Sequence, residues 1–210
     1  MPQKTFYKLE IKLMGCHEEV TRTLIVPADI RLDYLSEVLL YTMGWRNAHL
    51  HEFQSQSGNY GIKNPDWDND LKDERRSRLS VIAKPKMPRF DFIYDFGDNW
   101  AHLVEVVDFN CNKTPGKRLF FCTQATGACP PEDVGGTPGY EDFCAAINDP
   151  NHAEHEEMTD WVYGLYPASQ KWPDGVSIDN INNILNSYER YYRKETAPQK
   201  SKPQRMWVKT

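Results

Sequence analysis

Imidazoles and carboxylates fall in short stretches that lie far apart in the chain: His49 and His51; Asp95, Asp98 and His102; and Glu132 with Asp133. Two histidines two residues apart on an extended segment project to the same side. Such a pair can reach one metal ion, with Asp95, Asp98, His102, Glu132 or Asp133 completing the set; His49, His51, Asp98 and His102 are the candidate ligands. Imidazole and carboxylate donors suit zinc, manganese or iron. The same groups can instead bond backbone amides and one another and so fix the loops. No spacing here is a recognised ligand signature, so the hydrogen-bonded reading is preferred. The cofactor stays unknown, a divalent transition metal being the open alternative.

Further groups invite a chemical reading. Cys129 near histidines could serve as a nucleophile, yet Pro130-Pro131 follows it and no oxyanion hole is evident, which favours a buried or loop-edge thiol. Asp95-Phe96-Gly97 has the letters of a kinase magnesium motif, but no glycine-rich nucleotide loop, strand lysine motif or His-Arg-Asp accompanies it, so that reading is rejected. Gly135, Gly136 and Gly139 precede a helix start and could cradle an anion through their amides. Glu132 and Asp133 beside them favour an internal cap by the protein's own carboxylates. Trp45, Phe53, Tyr60, Trp67 and Trp100 could gather around this patch, making a groove of aromatics beside fixed polar groups, although a core holds the same residue types.

The elements that must position these groups can be read from periodicity. Phe90, Phe92, Tyr94 and Phe96 alternate with Asp91, Ile93 and Asp95, so one face of a strand over 90–95 is core. Gly97-Asp98 then turns the chain into a partner strand over 103–109. Acids, an aromatic and an imidazole crowd that turn, which is costly unless something satisfies them. Tyr7, Leu9, Ile11 and Leu13 mark a half-buried strand, a turn over 15–19 follows, and Val20 to Val26 is its hairpin partner, ended by Pro27. Leu32, Leu35, Val38, Leu39, Thr42 and Met43 form a helical stripe stopped by Gly44. A strand carries His49, His51 and Phe53 on one side. Residues 58–78, polar and rich in turn residues, are expected to be a long mobile insertion. Short strands are expected over 79–83 and 119–122. Thr137 as N-cap with Pro138 begins a helix bearing Tyr140, Phe143, Cys144 and Ile147. A second helix carries Met158, Trp161, Val162 and Leu165, and a third, from Ser177, carries Ile178, Ile181, Ile184, Leu185, Tyr188 and Tyr192.

Strands and one helix come first and helices last, the α+β signature. Residues 1–193 are expected to form a single domain and 194–210 a basic, disordered tail. With 210 residues, 40% hydrophobic and 12% aromatic, the chain can bury a proper core. No apolar run approaches the roughly 18 residues a membrane span needs, and the start alternates like a strand instead of offering a signal-peptide core. The cytosol is the expected compartment, and the sequon Asn112-Lys113-Thr114 is then silent. Cys16, Cys111, Cys122, Cys129 and Cys144 are odd in number with no C-x-x-C pair, against a disulfide framework or a zinc knot. The net charge of −5 divides unevenly: from Arg190 onward seven basic residues face one acid, so the body is strongly acidic. An acidic body disfavours broad contact with nucleic acid and leaves the basic tail as the segment that could touch phosphate, a solvated tail being the preferred reading.

Three motifs in order carry a resemblance: Gly44-Trp45 with His49-Leu50-His51-x-Phe53; Tyr94-Asp95-Phe96-Gly97-Asp98-x-Trp100-x-His102; and Cys129-Pro130-Pro131-Glu132-Asp133-x-Gly135-Gly136 with Gly139-Tyr140. The chain from about Tyr7 to about Leu185 resembles the Ri-plasmid open reading frame three family of bacteria and archaea. That resemblance implies a compact α+β domain with a mixed, mostly antiparallel sheet, roll-like or ubiquitin-like, one helix packed on it and a C-terminal helical cluster. It implies no established activity, and its mobile-element association is a context only. The family usually carries Trp-Arg-Arg where this chain has Thr21-Arg22-Thr23, a histidine where it has Ser36, and a second loop cysteine where it has Val134. The expected function is a non-enzymatic module in which Trp45, His49, His51, Asp95, Asp98, Trp100, His102, Glu132, Asp133, Gly135, Gly136 and Tyr140 bind a protein, peptide or small ligand. The alternative is a metal-dependent hydrolase, for which the mobile-element context offers nucleic acid as one candidate substrate.

Overall fold

A computed structural model describes residues 5–63, 70–111, 116, 118–165 and 176–197. Alternating apolar residues make Phe6–Leu13 (β1) and Thr21–Pro27 (β2) an antiparallel hairpin in which Leu9 pairs with Leu24. Arg89–Tyr94 (β6) and Trp100–Asp108 (β7) form a second hairpin, with Phe92 opposite His102 and Tyr94 opposite Trp100. β7 joins β1, while His51–Ser55 (β3) pairs with β6, placing His51 opposite Tyr94 and Phe53 opposite Phe92. Gly58–Gly61 (β4), Lys72–Asp73 (β5) and Phe121–Thr126 (β8) complete an eight-stranded sheet in the order β5-β4-β3-β6-β7-β1-β2-β8, in which only β4–β5 is parallel.

The helix Leu32–Met43 (α1) lays its buried leucines, Val38 and Met43 on the core face of this sheet. Gly44 ends it at φ 110°, and the Gly44 and Trp45 amides both donate to the Leu40 carbonyl. That left-handed turn folds Trp45 back into the core. Gly136–Asn148 (α3), His155–Leu165 (α4) and Ile178–Glu195 (α5) form the C-terminal helical cluster. α5 covers β8, whose other side faces β2. Asn182 pairs with both backbone groups of Cys122 (2.9 Å each), and Glu189 accepts the Leu119 amide (2.8 Å). A sheet edge is thereby sealed by side chains that imitate a strand. The α+β class, the mostly antiparallel sheet with one helix on it and the C-terminal helices are as the sequence implied.

The sequence reading needs local corrections. Leu79–Ile82 (α2) is one helical turn, where a strand was expected. The segment expected to be a long mobile insertion supplies β4, β5 and a 3-10 turn over Glu74–Arg76; residues 64–69, including Trp67, lie outside the described residues. Phe96 does not share the core face of β6: Asp95 takes φ 55°, the strand ends, and Phe96 is exposed. The cap of α3 is Gly135 in the left-handed region, not Thr137. α5 runs to Glu195, past the expected start of the tail, and residues 198–210 lie outside the described residues. Among the described residues, no helix is long and apolar enough to cross a membrane.

Candidate functional site

The rim of the sheet beyond β3 and β6 gathers parts of all three motifs. Trp45, directly after α1, is buried and donates its indole N–H to the Pro130 carbonyl (3.0 Å), tying the double-proline loop to the helix end. One residue on, the Arg46 amide donates to Glu132 Oε1 (2.7 Å). The Tyr94 hydroxyl donates to Glu132, 3.1 and 3.2 Å from its two oxygens, and accepts from the amides of Ala48 (3.0 Å) and His49 (3.4 Å). Burial first, with Glu132 adding to it, pushes the Tyr94 phenol above its ordinary range, so it remains a donor at physiological pH. A single tyrosine oxygen therefore fixes Glu132 against the loop that carries His49.

The remaining carboxylates are set by turn chemistry. Asp95 receives the Gly97 amide (2.9 Å) and the Asp98 amide (3.4 Å) on Oδ1, an Asx turn that leaves Oδ2 facing His49. Asp98 Oδ2 accepts the Gly135 amide at the start of α3 (3.2 Å). Gly136 approaches so closely that a Cβ there would lie 2.7 Å from the Asp98 carbonyl, at φ 68°. The turn of β6–β7 and the start of α3 are thus locked together.

At the centre is His49 Nε2, 3.0 Å from Asp133 Oδ1, 3.6 Å from Asp95 Oδ2 and 3.6 Å from Glu132 Oε2. The nitrogen is shielded from solvent, yet none of these oxygens lies in a direction that makes a hydrogen bond with it. The pocket opens on one side: the Asp95 and Glu132 side chains are 13% and 12% exposed, whereas Asp133 is 69% exposed. Among the described residues no lysine or arginine side chain pairs with these three acids, and the Arg46 guanidinium turns away to the Leu165 carbonyl. His49, Glu132 and Asp133 offer ligand atoms all within 4.8 Å of one another.

A family model for plasmid pRiA4b ORF-3-like proteins matches residues 5–172. The chain belongs to the plasmid pRiA4b ORF-3-like family. This ORF-3-like chain is 40% identical over 156 residues to the uncharacterized protein y4hQ of Sinorhizobium fredii (strain NBRC 101917 / NGR234), a match covering 73% of this chain and 79% of that one. It is also similar in structure to MM3350 of Methanosarcina mazei Go1, solved as a protein of unknown function. The TM-score is 0.69 at 26% identity, over 78% of this chain and 92% of that one.

Some residues singled out in this ORF-3-like sequence stand elsewhere. His51 does not join His49: its Nε2 lies 2.9 Å from Glu74 Oε2, both side chains almost fully buried, beneath the 3-10 turn. β3 begins only at His51, so the same-side rule for residues two apart does not reach back to His49. His102 lies in the core, its Nδ1–H donating to the Phe92 carbonyl (3.0 Å) and its ring against the edge of Trp45. Burial pushes it down to about 4, so it is neutral. Neither histidine reaches the acids, and Asp98 caps α3, so the His49, His51, Asp98 and His102 set does not assemble. The internal cap exists, but Asp98 provides it, while Glu132 and Asp133 turn to His49. Trp45, Phe53, Tyr60 and Trp100 are buried in the core and do not wall a groove. Tyr140 is buried, its ring stacked near Phe143 and its hydroxyl hydrogen-bonded with the Cys144 thiol. Burial raises the Cys129 thiol well above its ordinary range despite Arg22, which leaves little thiolate for a nucleophile. Arg22 itself crosses the core to the Thr42 carbonyl (3.1 Å), closing the C-terminal end of α1.

Two functional side chains escaped the sequence reading. Tyr94 was assigned wholly to the core face, although a tyrosine ending a strand can bury its ring and keep its hydroxyl at the rim. Glu74 sat in a run of five acids that gave no sign which of them is buried.

Proposed function

We propose that this chain is a non-enzymatic binding module whose rim pocket receives a positively charged group of its ligand. One observation supports the reading above others: three carboxylates converge on a single imidazole nitrogen without an accompanying lysine or arginine side chain among the described residues. Like charges held this close raise one another's energy, and a bound cation relieves that cost. The acids are held by fixed partners, Glu132 by Tyr94 and Arg46 N–H and Asp95 by its own turn, so the pocket is organised before a ligand arrives. Asp133 at the mouth is the exposed acid that a ligand meets first.

The test is calorimetric titration of the full chain with tri-arginine peptide, spermidine and Mn²⁺, against tri-glutamate and inorganic phosphate. At least one cationic probe binds, the anionic probes do not, and Glu132→Gln weakens binding by about tenfold or more, one charge-assisted contact being worth roughly 1.5–3 kcal/mol. Binding of the anions, no binding by any cation, or cation binding untouched in Glu132→Gln overturns the reading.

A further inference from the structure

We infer that the positive charge this pocket takes is a divalent transition metal ion, held by His49 Nε2 with Glu132 and Asp133. The inference rests on the preceding proposal that the pocket takes a cation, and it names which one.

Two donors bound to one ion at about 2.1 Å lie about 3.0 Å apart when octahedral neighbours and about 3.4 Å apart when tetrahedral. The Asp133 and Glu132 oxygens stand 3.0 and 3.6 Å from His49 Nε2, close to that range, and the ligand atoms of the three residues all lie within 4.8 Å of one another. An imidazolium paired directly with a carboxylate would bring its N–H into line at roughly 2.7–2.9 Å. Here the nitrogen is shielded from water and makes no hydrogen bond, although three carboxylate oxygens stand within 3.6 Å of it. That arrangement leaves a polar atom unsatisfied unless something sits between the donors.

Metal-binding carboxylates are themselves hydrogen-bonded, which fixes their direction. Glu132 is held through Tyr94 and the Arg46 amide, while Asp95, fixed by its Asx turn, sets a further carboxylate beside His49. One imidazole and two carboxylates form a mixed nitrogen and oxygen set, which fits zinc or manganese better than a soft, thiol-seeking ion. The exposure of Asp133 leaves a side of the ion open, through which a further ligand can bind.

The experiment uses the full chain purified without a histidine tag, stripped with chelator, and titrated with Zn²⁺ by calorimetry and Mn²⁺ by electron paramagnetic resonance. The expected result is one ion per chain. His49→Gln and Glu132→Gln remove high-affinity binding, and Tyr94→Phe weakens it about tenfold, the usual cost of losing an outer partner. His17→Gln, at an exposed histidine outside the pocket, leaves binding unchanged. If Glu132→Gln fails to fold, Asp133→Asn replaces it, because that side chain is largely exposed. Far less than one ion per chain, or binding equal in the His49 and Glu132 variants, overturns the inference. Tri-arginine or spermidine binding that depends on Glu132, with neither metal bound, overturns the metal assignment and leaves the cation pocket standing. Failure of every cation removes both.

Discussion

His102 makes the interior of this protein sensitive to acid in a way that can be isolated. Its ring is 1% exposed between Phe92 and Trp45, its Nδ1–H is committed to the Phe92 carbonyl, Nε2 has no partner, and the neighbouring charge is the Arg22 guanidinium. Burial first, with Arg22 reinforcing it, holds the imidazole at about 4 against its ordinary 6.5. The unfolded chain therefore takes up a proton that the folded chain refuses between those two values, and stability falls as pH drops through that window. The loss is about 2 kcal/mol at pH 5 and about 3 kcal/mol below pH 4, at 1.36 kcal/mol per unit of displacement. Urea unfolding of wild type and His102→Gln at pH 7.5, 6.5, 5.5 and 5.0 checks it. Other titrating groups are common to both proteins and cancel in the difference. Wild type loses about 2 kcal/mol more than the variant between pH 7.5 and 5.0, with the denaturant slopes unchanged. Parallel profiles, or a wild type that gains stability on acidification relative to the variant, refute the reasoning.

Removing one member of the buried His51–Glu74 pair, by Glu74→Ala, costs about 3–5 kcal/mol in the same assay, whereas replacing both by apolar residues of similar volume costs far less; equal losses in the single and double variants contradict that account. Gly136→Ala places a Cβ 2.7 Å from the Asp98 carbonyl at a positive φ, and thermal unfolding registers a loss of about 1–3 kcal/mol. A neutral outcome there means that the β6–β7 turn is not locked to α3.

The sheet was legible because its strands obey a rule that survives without coordinates. Leu9, Ile11 and Leu13, and Phe90, Phe92 and Tyr94, alternate because one face meets α1 and the other does not. The stop of α1 at Gly44 was equally plain, since a residue in the left-handed region was required there. Leu79 was misread because four residues carry too little periodicity to separate one helical turn from a strand. The site was legible as a set of residue types but not as a set of partners. Whether His49 meets His51 or Asp133 depends on where β3 begins, and Asn47, at φ 59°, bends the chain just before. Strand ends are where local pattern is weakest. Which acid caps α3 was undecidable for a similar reason: Asp98 is 37 residues from the amide it receives.

The most direct measurement of the central claim labels the histidine rings with ¹⁵N and follows all six by NMR as Mn²⁺-free cationic probes, tri-arginine and Zn²⁺, are added to the full chain. The account predicts that the His49 resonances move in a saturable manner with at least one of them, while exposed His17 and core His102 stay where they were. Saturable shifts confined to other histidines, or none at His49 with any cation, would contradict it.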